Sequence, residues 1–260
     1  TPVRSAVRRS LSRRLATASS FDSMPRLGRR SLERAAHLVG EAAPALARTA
    51  SVYPFPRSET PQASIVIPVH DQLDSTLRCL ESIFLSSFGI EYEVIVVDDR
   101  SSEETRRELR RLGRINLVLL DENVGYLRAT NRGAAEARGD VIVLLNNDTE
   151  VLDGWLEALL ETLEDPTIGA VGAKLLLPSH DVQEAGAIVW NDGSARHVGR
   201  GLDRFAAPAS FARDVDYSSA ACLALRRETW LELGGYDERY VPAYYEDVDL
   251  CFAVRELGLR

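Results

Sequence analysis

The stretch Val141-Ile-Val-Leu-Leu-Asn-Asn-Asp-Thr149 runs through five apolar residues and then turns polar at once. An apolar run of that length, closed by polar residues, reads as a strand buried on both faces, as in parallel sheets. The residues before it repeat the pattern. Ser64-Ile-Val-Ile-Pro68 is a first short strand, Tyr92 to Val97 a second that ends in Asp98-Asp99, and Asn116 to Leu120 a third. Helical spacings lie between them: Asp74 to Ser86, with Leu77, Leu80, Ile83 and Phe84 on one face; the charged Ser102 to Leu112; and Val124 to Arg138. Trp155 to Leu163 reads as the next helix and Gly169 to Leu177 as another strand. This alternation predicts an α/β fold, a mostly parallel sheet with helices on both faces. Right-handed crossovers put the strand C-termini on one edge, where ligands bind in open sheets.

After Pro178 the alternation stops. Ala187 to Trp190 and Ala195 to Val198 read as a hairpin turning at Asp192-Gly193. Ala220 to Leu225 is a further strand, and Thr229 to Leu233 a short helix stopped by Gly234-Gly235. Glu246 to Leu257 is the last helix, with Val248, Cys251, Phe252 and Leu257 as its expected apolar face.

Upstream of residue 61 the composition differs. The 260 residues carry a net charge of -8, yet residues 1–60 hold eleven Arg against four acids. Val3, Val7, Leu11 and Leu15 recur at helical spacing among Arg4, Arg8, Arg9, Arg13 and Arg14, a basic amphipathic helix suited to packing on its own protein or to an anionic membrane surface. Ser31 to Arg48 is helical with a break at Pro44, and Tyr53-Pro54-Phe55-Pro56 with Pro61 reads as a linker. The expected division is a basic helical segment at 1–60 and a catalytic-sized domain at 61–260. The acidic body argues against a nucleic-acid groove, which needs a basic surface. No apolar run approaches the roughly 20 residues that span a bilayer. Cys79, Cys222 and Cys251 form no CxxC pair, so neither zinc nor a disulfide framework is expected, and a reducing cytoplasm is the plain compartment, with peripheral contact at the inner face of the membrane through residues 1–15. The opening Thr1 and an end inside a helical pattern suggest a piece of a longer protein.

Three acidic clusters carry the chemistry: Asp98-Asp99 after the second strand, Asn146-Asn147-Asp148 after the fourth, and Glu246-Asp247 with Asp249 opening the last helix. Acids gathered at one rim repel unless a cation or hydrogen-bond donors offset them. Mg²⁺ typically takes one or two carboxylates plus substrate phosphates, so Asp148 is the candidate metal residue for Mg²⁺ or Mn²⁺ carried in by a diphosphate. Taken alone, Asn146-Asn147-Asp148 reads sooner as a turn or a helix cap, and Glu246-Asp247 with Asp249 sooner as a helix-capping acid cluster.

Six segments in register change that balance: Ser64-Ile-Val-Ile-Pro68, Val96-Val-Asp-Asp-Arg-Ser101, Asn123-Val-Gly-Tyr126 with Asn131-Arg-Gly133, Leu144-Leu-Asn-Asn-Asp-Thr149, Gly234-Gly-Tyr-Asp-Glu238 and Tyr245-Glu-Asp-Val-Asp-Leu250. Together they resemble family 2 glycosyltransferases of the GT-A fold, a Rossmann-like architecture, and within it the bacterial rhamnosyltransferase-like and O-antigen-type members. The resemblance covers residues 63–260. It implies inverting transfer of a sugar from a nucleotide-diphosphate sugar donor to a glycan or lipid-linked acceptor. It also implies donor contacts at Pro68, Asp98, Asp99, Gly125, Asn131, Arg132, Asn146 and Asn147. The Asp-x-Asp motif of the resembled family matches Asn146-Asn147-Asp148, which leaves Asp148 as principal metal ligand. The Glu-Asp motif matches Glu246-Asp247, with Asp247 the candidate base. Arg128 reads as a phosphate contact or a surface charge, and His197 as an acceptor or phosphate contact or an ordinary loop histidine. Trp190, Tyr236, Tyr240, Tyr244 and Tyr245 are candidates for a sugar-stacking wall.

Two other readings remain. A nucleotidyltransferase would show a Gly- and Lys/Arg-rich loop after the first strand, where this chain has Pro68-Val-His-Asp-Gln72. A non-catalytic docking module of a larger assembly is the other.

Overall fold

A computed structural model describes residues 53–260 other than Arg57 and Phe88. The helices expected at 1–15 and 31–48 lie outside the described residues. Strands β1 (Ala63–Val69), β2 (Tyr92–Asp98), β3 (Asn116–Leu119) and β4 (Val141–Leu145) alternate with helices α1 (Leu73–Ser86), α2 (Glu103–Leu109) and α3 (Tyr126–Ala135). Helix α4 (Trp155–Leu163), strands β5 (Ala170–Gly172), β6 (Leu175–Leu176), β7 (Val182–Glu184), β8 (Ala187–Val189), β9 (Ala195–His197) and β10 (Cys222–Arg226), and helices α5 (Arg227–Leu233) and α6 (Glu246–Glu256) follow. The main sheet has the order β3-β2-β1-β4-β10-β5.

Period-two alternation explains why both sheet faces are dry. Ile65, Ile67, Val94, Val96, Val143 and Leu145 pack on one side with Leu80, Ile83, Leu156 and Leu159. Val66, Ile95, Val97, Ile142 and Leu144 pack on the other with Leu127, Trp230 and Leu250. The first four strands are parallel, as expected, but β10 runs antiparallel between β4 and β5. Because β10 is reversed, its start lies beside the end of β4, and the Asn146 N–H donates to the Ala221 carbonyl at 3.1 Å. The late hairpin forms as expected, β8 against β9.

Three expectations are corrected. The run at 169–177 is two strands, because β6 leaves the sheet to pair with β7 after Gly172 has passed close against Ser218. The buried face of α6 is Leu250, Cys251 and Val254, while Phe252 and Leu257 are exposed. Phe55, read as linker, is 1% exposed and sits edge-on to Tyr92 and Phe84, so packing of the body reaches back before residue 61. Among the described residues no helix is long and apolar enough to cross a membrane.

Pro68 shows how a proline fits a central strand. Val69 turns its carbonyl to β2, accepting the Asp99 N–H at 2.8 Å. Its neighbour Pro68 therefore faces the β4 side, beyond the last β1–β4 pair at Val66–Leu144, where no ladder bond is lost. At the opposite edge, buried Glu93 accepts from Ser64 Oγ at 2.7 Å and from the Arg138 N–H at 2.8 Å. Gly139 follows, and a Cβ there would stand 2.6 Å from the Ala63 carbonyl carbon and 2.7 Å from Ser64 N. Backbone cannot yield as a side chain can, so Gly139→Ala is expected to cost about 1–3 kcal/mol, read as a lower melting temperature; an unchanged one would refute this packing.

Candidate active site

The rim gathers the ends of β1, β2 and β4, the start of β10 and the first turns of α3 and α6. Asp98 and Asp99 leave β2 together but do different work. Asp98 is wholly buried, with Oδ2 2.6 Å from Arg106 Nε and Oδ1 accepting the Ser101 N–H at 3.2 Å. The same guanidinium donates to the Leu120 carbonyl. Asp98 therefore braces the rim from inside, with both carboxylate oxygens engaged by the fold, where the sequence reading expected a donor contact. Asp99 accepts the Val124 N–H at 2.7 Å and the Gly125 N–H at 2.8 Å. It thereby fixes the loop that starts α3, where Gly125 has φ of 84°, a region glycine enters without steric cost.

Above Asp99 lie His70 and Asn123, both exposed. His70 Nδ1 is 2.8 Å from the Asp99 carbonyl, and Asn123 Nδ2 is 3.3 Å from His70 Nε2. Asp71, next to it, accepts the Ser102 N–H at 2.8 Å, and that bond holds its carboxyl below the usual range. Neither residue was selected from sequence. The available signal was position alone, directly after the first strand at the ligand edge.

Another expected donor contact, Asn131, is engaged within the fold. Asn131 donates to the Tyr236 carbonyl and accepts the Tyr236 N–H, both at 2.9 Å, so its amide staples α3 to the Gly235-Tyr236 turn. The amide is thus engaged by the fold at both its nitrogen and its oxygen, where the sequence reading expected a donor contact. Arg132 stays exposed on α3, while Arg128 pairs with Glu238 at 3.0 Å.

At the end of β4, Asn147 donates to Thr76 Oγ1 at 2.9 Å, Asn146 Oδ1 is buried without a partner, and Asp148 is exposed. Among the described residues no three His, Cys, Asp or Glu side chains converge on one point. Asp148 alone fits only a cation whose remaining ligands arrive with a substrate.

Helix α6 brings the third cluster to the same edge. Asp247 Oδ1 accepts its neighbour Val248 N–H at 2.8 Å, and Oδ2 faces the Ala220 N–H at 3.4 Å, just before β10. Burial raises its carboxyl above the ordinary range, while those N–H groups act the other way. Glu246 is 7% exposed and is raised by burial, and its Oε2 has no partner. A buried oxygen without a partner calls for an explanation in a native fold.

The hairpin closes one flank. Tyr245 Oη donates to the Gly193 carbonyl at 2.8 Å, tying the hairpin turn to the residue before Glu246. Trp190, Tyr244 and Tyr245 are exposed there, whereas Tyr236 is buried against Trp230 and Tyr240 donates to Asp249 at 2.9 Å. The stacking-wall candidates thus divide, with three facing solvent and two used by the fold. Behind α6 a cavity of about 1070 Å³ opens between β5, the 205–216 loop and the C-terminal residues, with Tyr217, Ser218 and Cys251 in its wall.

The family model described as Glycosyl transferase family 2 matches residues 64–206. The O-antigen biosynthesis protein RfbC of Myxococcus xanthus is 34% identical over 215 residues, covering 79% of this chain and 17% of that protein. The chain thus spans a small part of the length of the curated relatives it matches first, 17% and 27%. Among solved structures, the mannosyltransferase PcManGT from Pyrobaculum calidifontis, in complex with GDP-Man and Mn²⁺, aligns with a TM-score of 0.58 at 20% identity, covering 90% of this chain and 63% of that one. GalNAc-T7 with UDP, GalNAc and Mn²⁺ aligns at 0.63 and 19% identity, covering 78% of this chain and 42% of that one. The likeness to these solved structures is one of fold.

Proposed function

The chain belongs to glycosyl transferase family 2, and from that premise we propose that it moves a sugar from a nucleotide-diphosphate donor to a hydroxyl of a glycan or lipid-linked acceptor, inverting the anomeric centre. The observation that carries this reading is Asp247, a desolvated carboxylate in the first turn of α6, held at the rim beside the end of β4. An acceptor oxygen attacks the anomeric carbon from the face opposite the diphosphate. As that bond forms and the sugar–phosphate bond breaks, the hydroxyl proton passes to Asp247. A desolvated carboxylate is a stronger base than an exposed one, and its place at a helix N-terminus keeps it available as the anion.

Asp99, through Val124 and Gly125, shapes the donor floor, with His70 and Asn123 above it. Asp148 would hold Mg²⁺ or Mn²⁺ together with the donor phosphates, supplying positive charge to the departing diphosphate. The complexes of PcManGT and GalNAc-T7 with Mn²⁺ support that choice of cation. The exposed Trp190, Tyr244 and Tyr245 and the cavity behind α6 suit the acceptor side, where flat apolar faces pack against sugar rings.

Asp148→Ala tests the donor half directly. Binding of a panel of nucleotide sugars, measured by calorimetry with and without Mn²⁺, is expected to lose its metal dependence and at least tenfold of its affinity, a typical minimum for a lost metal interaction. Equal affinity with Mn²⁺ in both proteins would remove Asp148 from the metal site. Absence of binding by the intact chain to every nucleotide sugar would remove the transferase reading.

A further inference from the structure

Glu184 lies at the end of β7 and is 1% exposed. Carboxylates are almost never so buried unless paired. One oxygen, Oε1, accepts the Ser219 N–H at 2.8 Å. The other, Oε2, stands 2.7 Å from Nδ1 of His197, on the adjoining β9. The imidazole is not aligned there for a linear hydrogen bond, so the contact gains its full strength as an ion pair when the ring is protonated. Ser219 and Ala220 are consecutive: the first donates to Glu184 and the second faces Asp247. Two carboxylates from different elements thus grip one short backbone segment, and His197 lies within electrostatic reach of the second.

We infer that Glu184 and His197 form a positioning pair for the reacting carboxylate, in which protonated His197, anchored by Glu184, favours Asp247 as its anion and fixes the acceptor face of the site. The inference rests on the transferase reading for its consequence in catalysis, though the electrostatic contact stands without it. The other ionisable groups facing Asp247 are Glu246 on its own helix, Tyr126 on α3, Tyr236 after α5, and Tyr217 and Cys251 across the cavity wall. Glu246 opposes its charge, and the tyrosines and the thiol are neutral at physiological pH. Of the groups facing Asp247, His197 is the one whose protonated form would favour the carboxylate.

The test uses His197→Gln, which removes the charge from a partly exposed side chain, and His197→Lys, which retains it. In the transfer assay, the acid limb of kcat/KM is expected to move to higher pH in His197→Gln. Its activity relative to the parent should fall about threefold or more between pH 8 and pH 5, with His197→Lys recovering most of that loss. Independently of turnover, an aspartate carboxyl NMR titration of the full chain, with the Asp247 signal identified by its absence in Asp247→Asn, should show that group titrating higher in His197→Gln. A carboxyl titration identical in parent and His197→Gln would overturn the inference whether or not sugar is transferred. A shifted titration in a chain that transfers no sugar would leave the pair in place and reject the transferase reading instead.

Discussion

Replacing Asp247 with Asn is expected to slow sugar transfer by about a hundred- to ten-thousand-fold, the usual contribution of a general base, while donor affinity stays within about twofold, far less than one tenfold step of 1.4 kcal/mol. The amide matches the carboxylate in shape. Its oxygen can still accept the Val248 N–H that Oδ1 accepts now, so the first turn of α6 persists. What it cannot do is take a proton. Turnover under saturating donor and acceptor, compared with donor affinity by calorimetry, separates the two effects. Normal turnover in Asp247→Asn would remove it as the base; a parallel loss of donor affinity would make it a donor-binding group.

The pH dependence follows from the direction of the shift. Burial raises the Asp247 carboxyl, so activity falls as pH drops through that raised value. Stability has the opposite sign. A carboxyl raised on folding binds its proton more tightly in the folded state, so its stabilising contribution is present at low pH and fades as pH rises through the folded-state value. At neutral pH the charged side chain is thus a cost to the fold, and Asp247→Asn should not lower the melting temperature there. A slow variant that is at least as stable as its parent cannot owe its slowness to misfolding.

What sequence could show here depended on how local each signal was. Strands β1, β2 and β4 declared themselves because burial on both faces demands largely apolar runs, and the polar residues that follow them marked the rim, whereas β3 is a half-exposed edge strand. The reversed direction of β10 left no such trace: Cys222 to Leu225 is as apolar as a parallel strand, and its direction is set by the excursion through the hairpin. Asp98 and Asp99 are chemically identical neighbours, and only the side-chain alternation along β2 separates the one turned inward to Arg106 from the one turned to the Val124 and Gly125 amides. The pairing of Asn131 with the Tyr236 backbone left no local trace, because that partner is distant in sequence. Glu184 was invisible for the same reason. One acid in a three-residue strand gives no local hint of burial, and its partners His197 and Ser219 come from later segments.

Asp98→Ala is expected to act on the fold rather than on the donor. Removing one member of a buried ion pair costs about 3–5 kcal/mol, because the other charge is left without compensation. Arg106 is well placed to impose that cost, being only 17% exposed in its side chain and fixed at its other end to the Leu120 carbonyl. For a body of this size each kcal/mol moves the melting temperature by roughly 2–4 °C, so a fall of about 10 °C is the expected reading. The variant that also removes the guanidinium, Asp98→Ala with Arg106→Met, leaves no stranded charge and should recover part of the loss. Donor affinity, measured well below the transition, should change little in either protein, since Asp98 has no surface to offer a ligand. A protein that keeps its melting temperature but loses the donor would show instead that Asp98 reaches the nucleotide through a rearranged rim.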